Sequence, residues 1–182
     1  MNFKIKSLIT LAMLTALAYV TMLVVRVSFP PASFLTYDPK DVFIIIGGFL
    51  YGPLAVIPMS FAVSLLEMPI SGTQIYGLIM NIASTCSFAF TAAAIYRKRR
   101  TITGAVIGLA VGIIILVAVM LLWNFIITPV YMHVPREVVV NMLIPVFLPF
   151  NLLKGLYNAA ITMLVYKRLS VILRRMNMLS EK

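Results

Sequence analysis

Long apolar runs, interrupted by short clusters of proline, glycine or basic residues, dominate this chain. A membrane-crossing helix needs about 20 apolar residues, and several of the runs reach or approach that length. A barrel of transmembrane strands is not favoured, because the runs are continuous rather than alternating. The pattern predicts an all-α integral membrane protein with six helices, at approximately 5–27, 41–51, 54–68, 74–96, 102–128 and 149–173.

The connections between these predicted helices carry helix-breaking residues. Prolines interrupt 28–40, and Asp38 near its end is suited to cap the second helix. Glycine and proline at 52–53 separate the second helix from the third. Further prolines in 129–149 predict a broken connection there, with a short helix near 136–143.

The composition narrows the class of protein. Of the 182 residues, 62% are hydrophobic and 11% are charged, whereas a soluble domain carries about 25% charged residues. These values exclude an ordinary soluble globule, a disordered chain, a collagen-like fibre and a disulfide scaffold. Six helices would use about 120 residues, so we expect 1–182 to form a single membrane domain with modest loops.

The net charge of +10 helps to predict how the chain is oriented in the membrane. Basic residues gather in the cytoplasmic segments of membrane proteins. With six helices, the N-terminus, the basic loop at 97–100 and the C-terminus share one side and hold most of the Lys and Arg residues. The sequence therefore predicts that both termini are cytoplasmic. A signal peptide cleaved after Ala16-Leu17-Ala18 is a weaker alternative, because the mature chain would begin inside an apolar run.

One polar stripe stands out on the sixth predicted helix. Its members are Asn151, Lys154, Asn158 and Thr162. Spacings of three and four residues place them on one helical face, and polar groups are costly in lipid, so we expect this face to point into the bundle. Two interpretations stay open. The stripe either joins helices, with Lys154 paired to Glu67 or Asp38, or forms a polar clamp in a site open to the outside.

Two smaller features add candidates. Asn124, near the end of the fifth helix, offers donors and an acceptor that suit the edge of a heterocycle, although a hydrogen bond between helices explains it equally. Ala12 and Ala16 lie four residues apart on the first helix, so their small side chains form a surface that permits close contact with another helix. Packing within the protein is the alternative explanation.

No enzymatic arrangement is evident. The only cysteine, Cys86, lies in an apolar run, and the only histidine, His133, lies in a loop, so a disulfide within the chain, a Cys/His dyad and a His-rich metal site are excluded. A phosphate-binding Gly-x-x-x-x-Gly-Lys motif is absent. We predict no enzymatic activity, no cofactor and no nucleic-acid partner. A small membrane enzyme acting on lipid is the less favoured alternative, because the five acidic residues are scattered.

Two segments carry a resemblance to a known family. They are 34–41, FLTYDPKD, and 47–53, GGFLYGP. They resemble the signature of the riboflavin-specific substrate-binding (S) components of energy-coupling factor (ECF) vitamin transporters. The likeness extends over essentially the whole chain and includes Asn124 and the segment 151–154.

The resemblance implies a six-helix S-component fold that captures riboflavin from outside the cell. The 28–40 loop would cover an outward-facing pocket. The implied riboflavin-binding residues are Thr36, Gly72, Asn124, Asn151 and Lys154. Riboflavin would be a transported substrate rather than a cofactor, and flavin mononucleotide stays open as a second ligand. An S component for another heterocyclic vitamin is the alternative within transporters.

The resemblance also implies partners and a location. Ala12 and Ala16 match the small-residue motif by which S components dock on the transmembrane (T) component. The T component and two ATPase subunits are separate chains in this family, and they power uptake. The expected location is the bacterial cell membrane, with several passes through the bilayer.

Overall fold

The computed structural model describes residues 3–71 and 74–175, most of them helical. The helices are α1 (Phe3–Val24), α2 (Lys40–Tyr51), α3 (Val56–Ser71), α4 (Gln74–Thr85), α5 (Thr91–Lys98), α6 (Ile102–Met132), α7 (Arg136–Met142) and α8 (Leu148–Arg175). A 3-10 turn at Pro53–Ala55 leads into α3. Turns of π-helix at Cys86–Phe90 and Leu143–Phe147 join α4 to α5 and α7 to α8. The described chain therefore forms six helical stretches.

Five of these stretches are long and apolar enough to cross a membrane, counted over the described residues. They expose large apolar side chains such as Leu8 (69%) and Leu164 (74%), which suit contact with lipid. α2 is different, because its 12 residues span only about 18 Å, less than the hydrocarbon core of about 30 Å. Almost all of α2 is buried, as expected of a helix that is apolar all round.

The connection predicted at 28–40 is a β-hairpin. Strands β1 (Val27–Phe29) and β2 (Ala32–Tyr37) pair antiparallel, with Ser28 opposite Thr36. α1 therefore ends at Val24, earlier than the expected 27, because the following backbone pairs with β2. The hairpin packs on α8 and the turn before it through aromatic pairs. Phe29 lies 5.5 Å from Phe150 and Phe34 lies 6.2 Å from Phe147, measured between ring centroids.

Residues 129–149 also differ from the expected broken connection. α6 continues through Pro129 to Met132, and residues 133–135 alone separate it from α7. His133 is the C-cap of α6, and its φ of 54° is left-handed. Pro145 lies within the π-helical turn. Proline has no backbone N–H to donate within a helix, and its ring clashes with the preceding helical turn. The wider π-helical turn accommodates the missing hydrogen bond and the ring without ending the helix.

Small residues allow α5 and α6 to approach closely. A Cβ added at Gly108 would lie 2.6 Å from the carbonyl oxygen of Ala92, and one at Gly112 would lie 2.9 Å from that of Phe88. No larger residue fits at either site without moving the backbone.

An aromatic cluster closes the end of the bundle opposite the hairpin. Its rings are Phe49, Tyr96 and Tyr166, and the two tyrosine hydroxyls are hydrogen-bonded to each other.

Candidate functional site

A cavity of about 410 Å³ opens at the hairpin end of the bundle. The hairpin contributes Ser28 and 34–36 to its wall, and the helices α4, α6 and α8 contribute most of the rest. Three charged residues, Arg26, Asp38 and Glu67, complete the lining. Methionine and aromatic side chains are interspersed with a few amides, hydroxyls and charges. This volume and this mixture are typical of a site for a small organic ligand.

Four of the five residues expected to bind ligand line this one cavity. They are Thr36 on β2, Asn124 on α6, and Asn151 and Lys154 on α8. Thr36 reaches the wall because the hairpin folds back over the bundle, whereas the others lie on helices that meet beneath it. Gly72, the fifth residue, lies outside the described part of the chain.

Both asparagines are held by their own helices. Asn124 Nδ2 donates to the carbonyl oxygen of Met120 at 2.7 Å, and Asn151 Nδ2 donates to that of Phe147 at 2.7 Å. Asn124 Oδ1 also accepts a hydrogen bond from Thr128 at 2.9 Å. These bonds fix the side-chain orientations before any ligand arrives, which reduces the entropy lost on binding.

The polar stripe on α8 points into the bundle. All four members are buried, with 6% of Lys154 and at most 2% of the others exposed. Lys154 Nζ lies 3.5 Å from Asp41 Oδ2 and 3.3 Å from Ser84 Oγ. The ion pair therefore joins α8 to α2, rather than to Glu67 or Asp38, the partners considered from the sequence.

Asp41 is the centre of this polar cluster. Its Oδ1 accepts a hydrogen bond from Thr85 at 2.7 Å, and its Oδ2 accepts one from Asn158 Nδ2 at 3.3 Å. Asn158 Oδ1 in turn accepts a bond from the Tyr37 hydroxyl at 3.1 Å. Partial burial and the nearby carboxylates of Asp41 and Asp38 raise the pKa of Tyr37 to about 12, so its hydroxyl remains a donor at neutral pH.

A second charged cluster was not recognised from the sequence. Lys40 is fully buried and contacts the carboxylates of Glu67 and Asp38, the latter at 3.5 Å. Arg26 pairs with the other oxygen of Glu67 at 3.3 Å. Asn81 completes the cluster, because its Oδ1 accepts from Lys40 at 3.2 Å and its Nδ2 donates to Glu67 at 3.1 Å. The hairpin is thereby tied to α3 and α4.

The expected cap of α2 is shifted by one residue. The N-cap position is Pro39, and Asp38 Oδ1 accepts a bond from the backbone N–H of Lys40 at 3.3 Å. Asp38 thus supports both the helix start and the buried Lys40 ammonium. The adjacent charges in Asp38-Pro39-Lys40 were the available sequence signal, but a polar loop explains them equally well.

Ala12 and Ala16 lie away from the cavity. Both are exposed on α1 and are not part of the packed interior. Among the described residues, no group of three or more His, Cys, Asp or Glu side chains is placed to hold a metal ion.

Comparison with known proteins identifies relatives over nearly the full length. A family model described as "ECF transporter, substrate-specific component" matches residues 6–166. The riboflavin transporter RibU of Staphylococcus aureus (strain TCH60) is 31% identical over 177 residues, covering 93% of each chain. The riboflavin transporter FmnP of Bacillus subtilis (strain 168) is 28% identical, covering 91% of this chain and 93% of the relative.

A solved structure shares the fold. It is described as "Structure and mechanism of the S component of a bacterial ECF transporter". It superposes with a TM-score of 0.80 at 30% sequence identity, covering 93% of this chain and 98% of the other. The helical arrangement around the cavity is therefore similar to that of a characterised transport component.

Proposed function

Because this chain belongs to the substrate-specific (S) components of ECF transporters, we propose that it captures riboflavin from outside the cell for ATP-driven uptake. The family accounts for the long apolar helices, since its members are integral membrane proteins that transport a substrate and are not enzymes. Riboflavin binds as the transported substrate and not as a cofactor.

One observation carries the proposal. Thr36, Asn124, Asn151 and Lys154, which come from three separate parts of the fold, meet around a single cavity. The names of the two curated relatives, both riboflavin transporters, support the same ligand.

The chemistry of the cavity agrees with a flavin. The isoalloxazine ring system is a flat, largely apolar body with a donor–acceptor edge, and the ribityl chain carries hydroxyl groups. Phe34, Met80 and Phe150 offer apolar contact, and the amides of Asn124 and Asn151 offer paired donors and acceptors. The volume of about 410 Å³ lies within the range of sites for molecules of this size.

A flavin fluorescence titration of the purified protein in detergent tests the ligand. We expect quenching that saturates at one riboflavin per chain. A well-folded sample that quenches no flavin would contradict the proposal, and a screen of other heterocyclic vitamins would then identify the S-component substrate. The test measures binding alone, so it does not depend on the transport partners.

Variants of the cavity wall test the site. Asn151→Ala should weaken riboflavin binding by up to about tenfold, and Lys154→Ala by about tenfold or more, because bonds to charged donors are the stronger ones. Leu153→Ala, at an exposed neighbouring position on α8, is the matched control and should bind normally. Full-affinity binding by both site variants would refute this assignment. The role of Gly72 stays a prediction.

The partners complete the proposed function. Ala12 and Ala16 form the contact with the T component, and two separate ATPase subunits supply the energy. The exposed position of Ala12 and Ala16 on α1 supports the contact with the T component, because small residues let helices approach closely in a membrane. The bacterial cell membrane, with both termini in the cytoplasm, is the location that agrees with the basic loop at 97–100.

A further inference from the structure

We propose that Asp41 is a specificity-determining positioning residue of the cavity. From behind the wall it cancels the charge of Lys154, so that the site favours an uncharged flavin over its phosphorylated form. This inference rests on the proposed function, because it concerns which flavins the cavity accepts.

Asp41 is placed to act through Lys154 rather than on the ligand. It is fully buried in the first turn of α2 and does not line the cavity. Thr85 on α4 and Asn158 on α8 each donate a hydrogen bond to it, one to each carboxylate oxygen. Three helices therefore hold the carboxylate in one place, at 3.5 Å from Lys154 Nζ.

Lys154 presents donors to the cavity without presenting a net charge. An ammonium has three donors, and among the described contacts Asp41 and Ser84 engage two of them. The remaining donor can meet a flavin carbonyl oxygen or ring nitrogen. Because the cation is buried, it needs a nearby counter-ion, and Asp41 supplies one from within the protein.

The other charges at this end of the bundle are balanced in the same way. Arg26 and Lys40 are paired with Asp38 and Glu67. Together with Lys154 and Asp41, the two clusters contain as many cations as anions. No described cation at the cavity is left to attract a phosphate group, and an added phosphate would therefore gain little from the wall.

The inference predicts changes of opposite sign from two single substitutions. Asp41→Asn leaves Lys154 unbalanced, so the affinity for flavin mononucleotide relative to riboflavin should rise. Lys154→Gln leaves Asp41 unbalanced, so this ratio should fall. Each change should be about tenfold, the size expected for unit charges about 10 Å apart at an effective dielectric constant of about 20. The double variant should restore the wild-type ratio to within about threefold.

The experiment is a pair of fluorescence titrations, with riboflavin and with flavin mononucleotide, at one fixed ionic strength. Thr85→Val is the matched control. It removes a hydrogen bond to Asp41 but neither charge, so it should leave the ligand ratio unchanged even if stability falls. Ratios that move in opposite directions in the two single variants, and return in the double variant, support the inference.

Other results would overturn it. Equal weakening of both flavins by Asp41→Asn would assign Asp41 a structural role alone. If that variant does not fold, Lys154→Gln still decides, because an unchanged or raised ratio contradicts charge cancellation. A folded wild-type protein that binds neither flavin would instead refute the proposed function, and this inference with it.

Discussion

The two ends of the bundle are built by different means. At the hairpin end, polar and charged side chains are buried and joined in two clusters, one centred on Lys40 and one on Asp41. At the opposite end, Gly108 packs directly on the backbone of Ala92, and Phe49 stacks on Tyr96 with ring centroids 4.4 Å apart. One end keeps an open cavity, whereas the other is filled.

The difference shows how a small membrane protein keeps space for a ligand. Close packing of glycine and alanine fixes the helices at the end away from the cavity, and packing is what holds helices together in lipid. At the cavity, ion pairs and hydrogen bonds of side-chain amides join the elements that form the wall and satisfy their buried polar groups. Substitutions at the two ends should therefore differ in their effects on stability and on ligand binding.

The largest effect is expected at the buried charges. Lys40→Met removes the cation that contacts both Glu67 and Asp38, and leaves two buried carboxylates undercompensated. We expect the free energy of unfolding to fall by about 3–5 kcal/mol. The measurement is the thermal unfolding midpoint in detergent. Flavin binding should fall as well, because the cluster ties the hairpin to α3 and α4.

Lys98→Met is the matched control, because Lys98 is exposed at the end of α5. This variant should lie within about 0.5 kcal/mol of the wild-type protein. If Lys40→Met were as stable as this control, the buried charge cluster would not stabilise the hairpin end. The proposed difference between the two ends would then be wrong for that end.

A smaller effect is expected at the close-packed interface. Gly108→Val would place a Cβ 2.6 Å from the carbonyl oxygen of Ala92, so the backbones must separate. We expect a loss of about 1–3 kcal/mol in unfolding free energy. The molecules that fold should keep the wild-type riboflavin affinity, since the site lies at the other end. Thermal midpoint and flavin titration on the same sample check both expectations.

Ala110→Val makes a similar change on the exposed face of the same helix and should cost no more than about 0.5 kcal/mol. Two results would contradict the separation of the two ends. One is a Gly108→Val protein as stable as this control. The other is a folded Gly108→Val protein that has lost flavin affinity.

The helical membrane architecture could be predicted from the sequence, because long apolar runs have few stable alternatives in lipid. The resemblance at 34–41 and 47–53 also led to the correct family, which the match over residues 6–166 confirms. Both features are local, so neither requires knowledge of how the helices pack against one another.

The buried charge pairs could not be predicted, because they depend on packing. Lys40 follows a proline in a polar segment and resembles a solvated loop cation, yet it is buried because α2 lies inside the bundle. Likewise, the sequence suggested Glu67 or Asp38 as the partner of Lys154, whereas the structure pairs it with Asp41. The position of Asp41 between α4 and α8 selects it, and no spacing in the sequence records that position.

The short helix predicted near 136–143 is present as α7, but its continuation through Pro145 into α8 was missed for a related reason. Pro145 ends a helix in most contexts, but here a π-helical turn accommodates it. Phe147 lies in that turn. Its carbonyl oxygen accepts a hydrogen bond from Asn151 Nδ2, and its ring packs edge-on against Phe34 of the hairpin. A local rule about proline therefore gave the wrong connection beside the cavity.

The smallest effect on stability is expected outside both ends, on the exposed face of α1. Ala12→Leu and Ala16→Leu should each change the free energy of unfolding by less than about 0.5 kcal/mol, because neither residue is packed in the interior. Riboflavin binding should be unchanged. Co-purification with the T component and riboflavin uptake by cells should nevertheless fall, because larger side chains prevent close approach of helices. Ala110→Leu on α6 is the matched control and should retain both. Normal co-purification of both α1 variants would refute the docking role of Ala12 and Ala16.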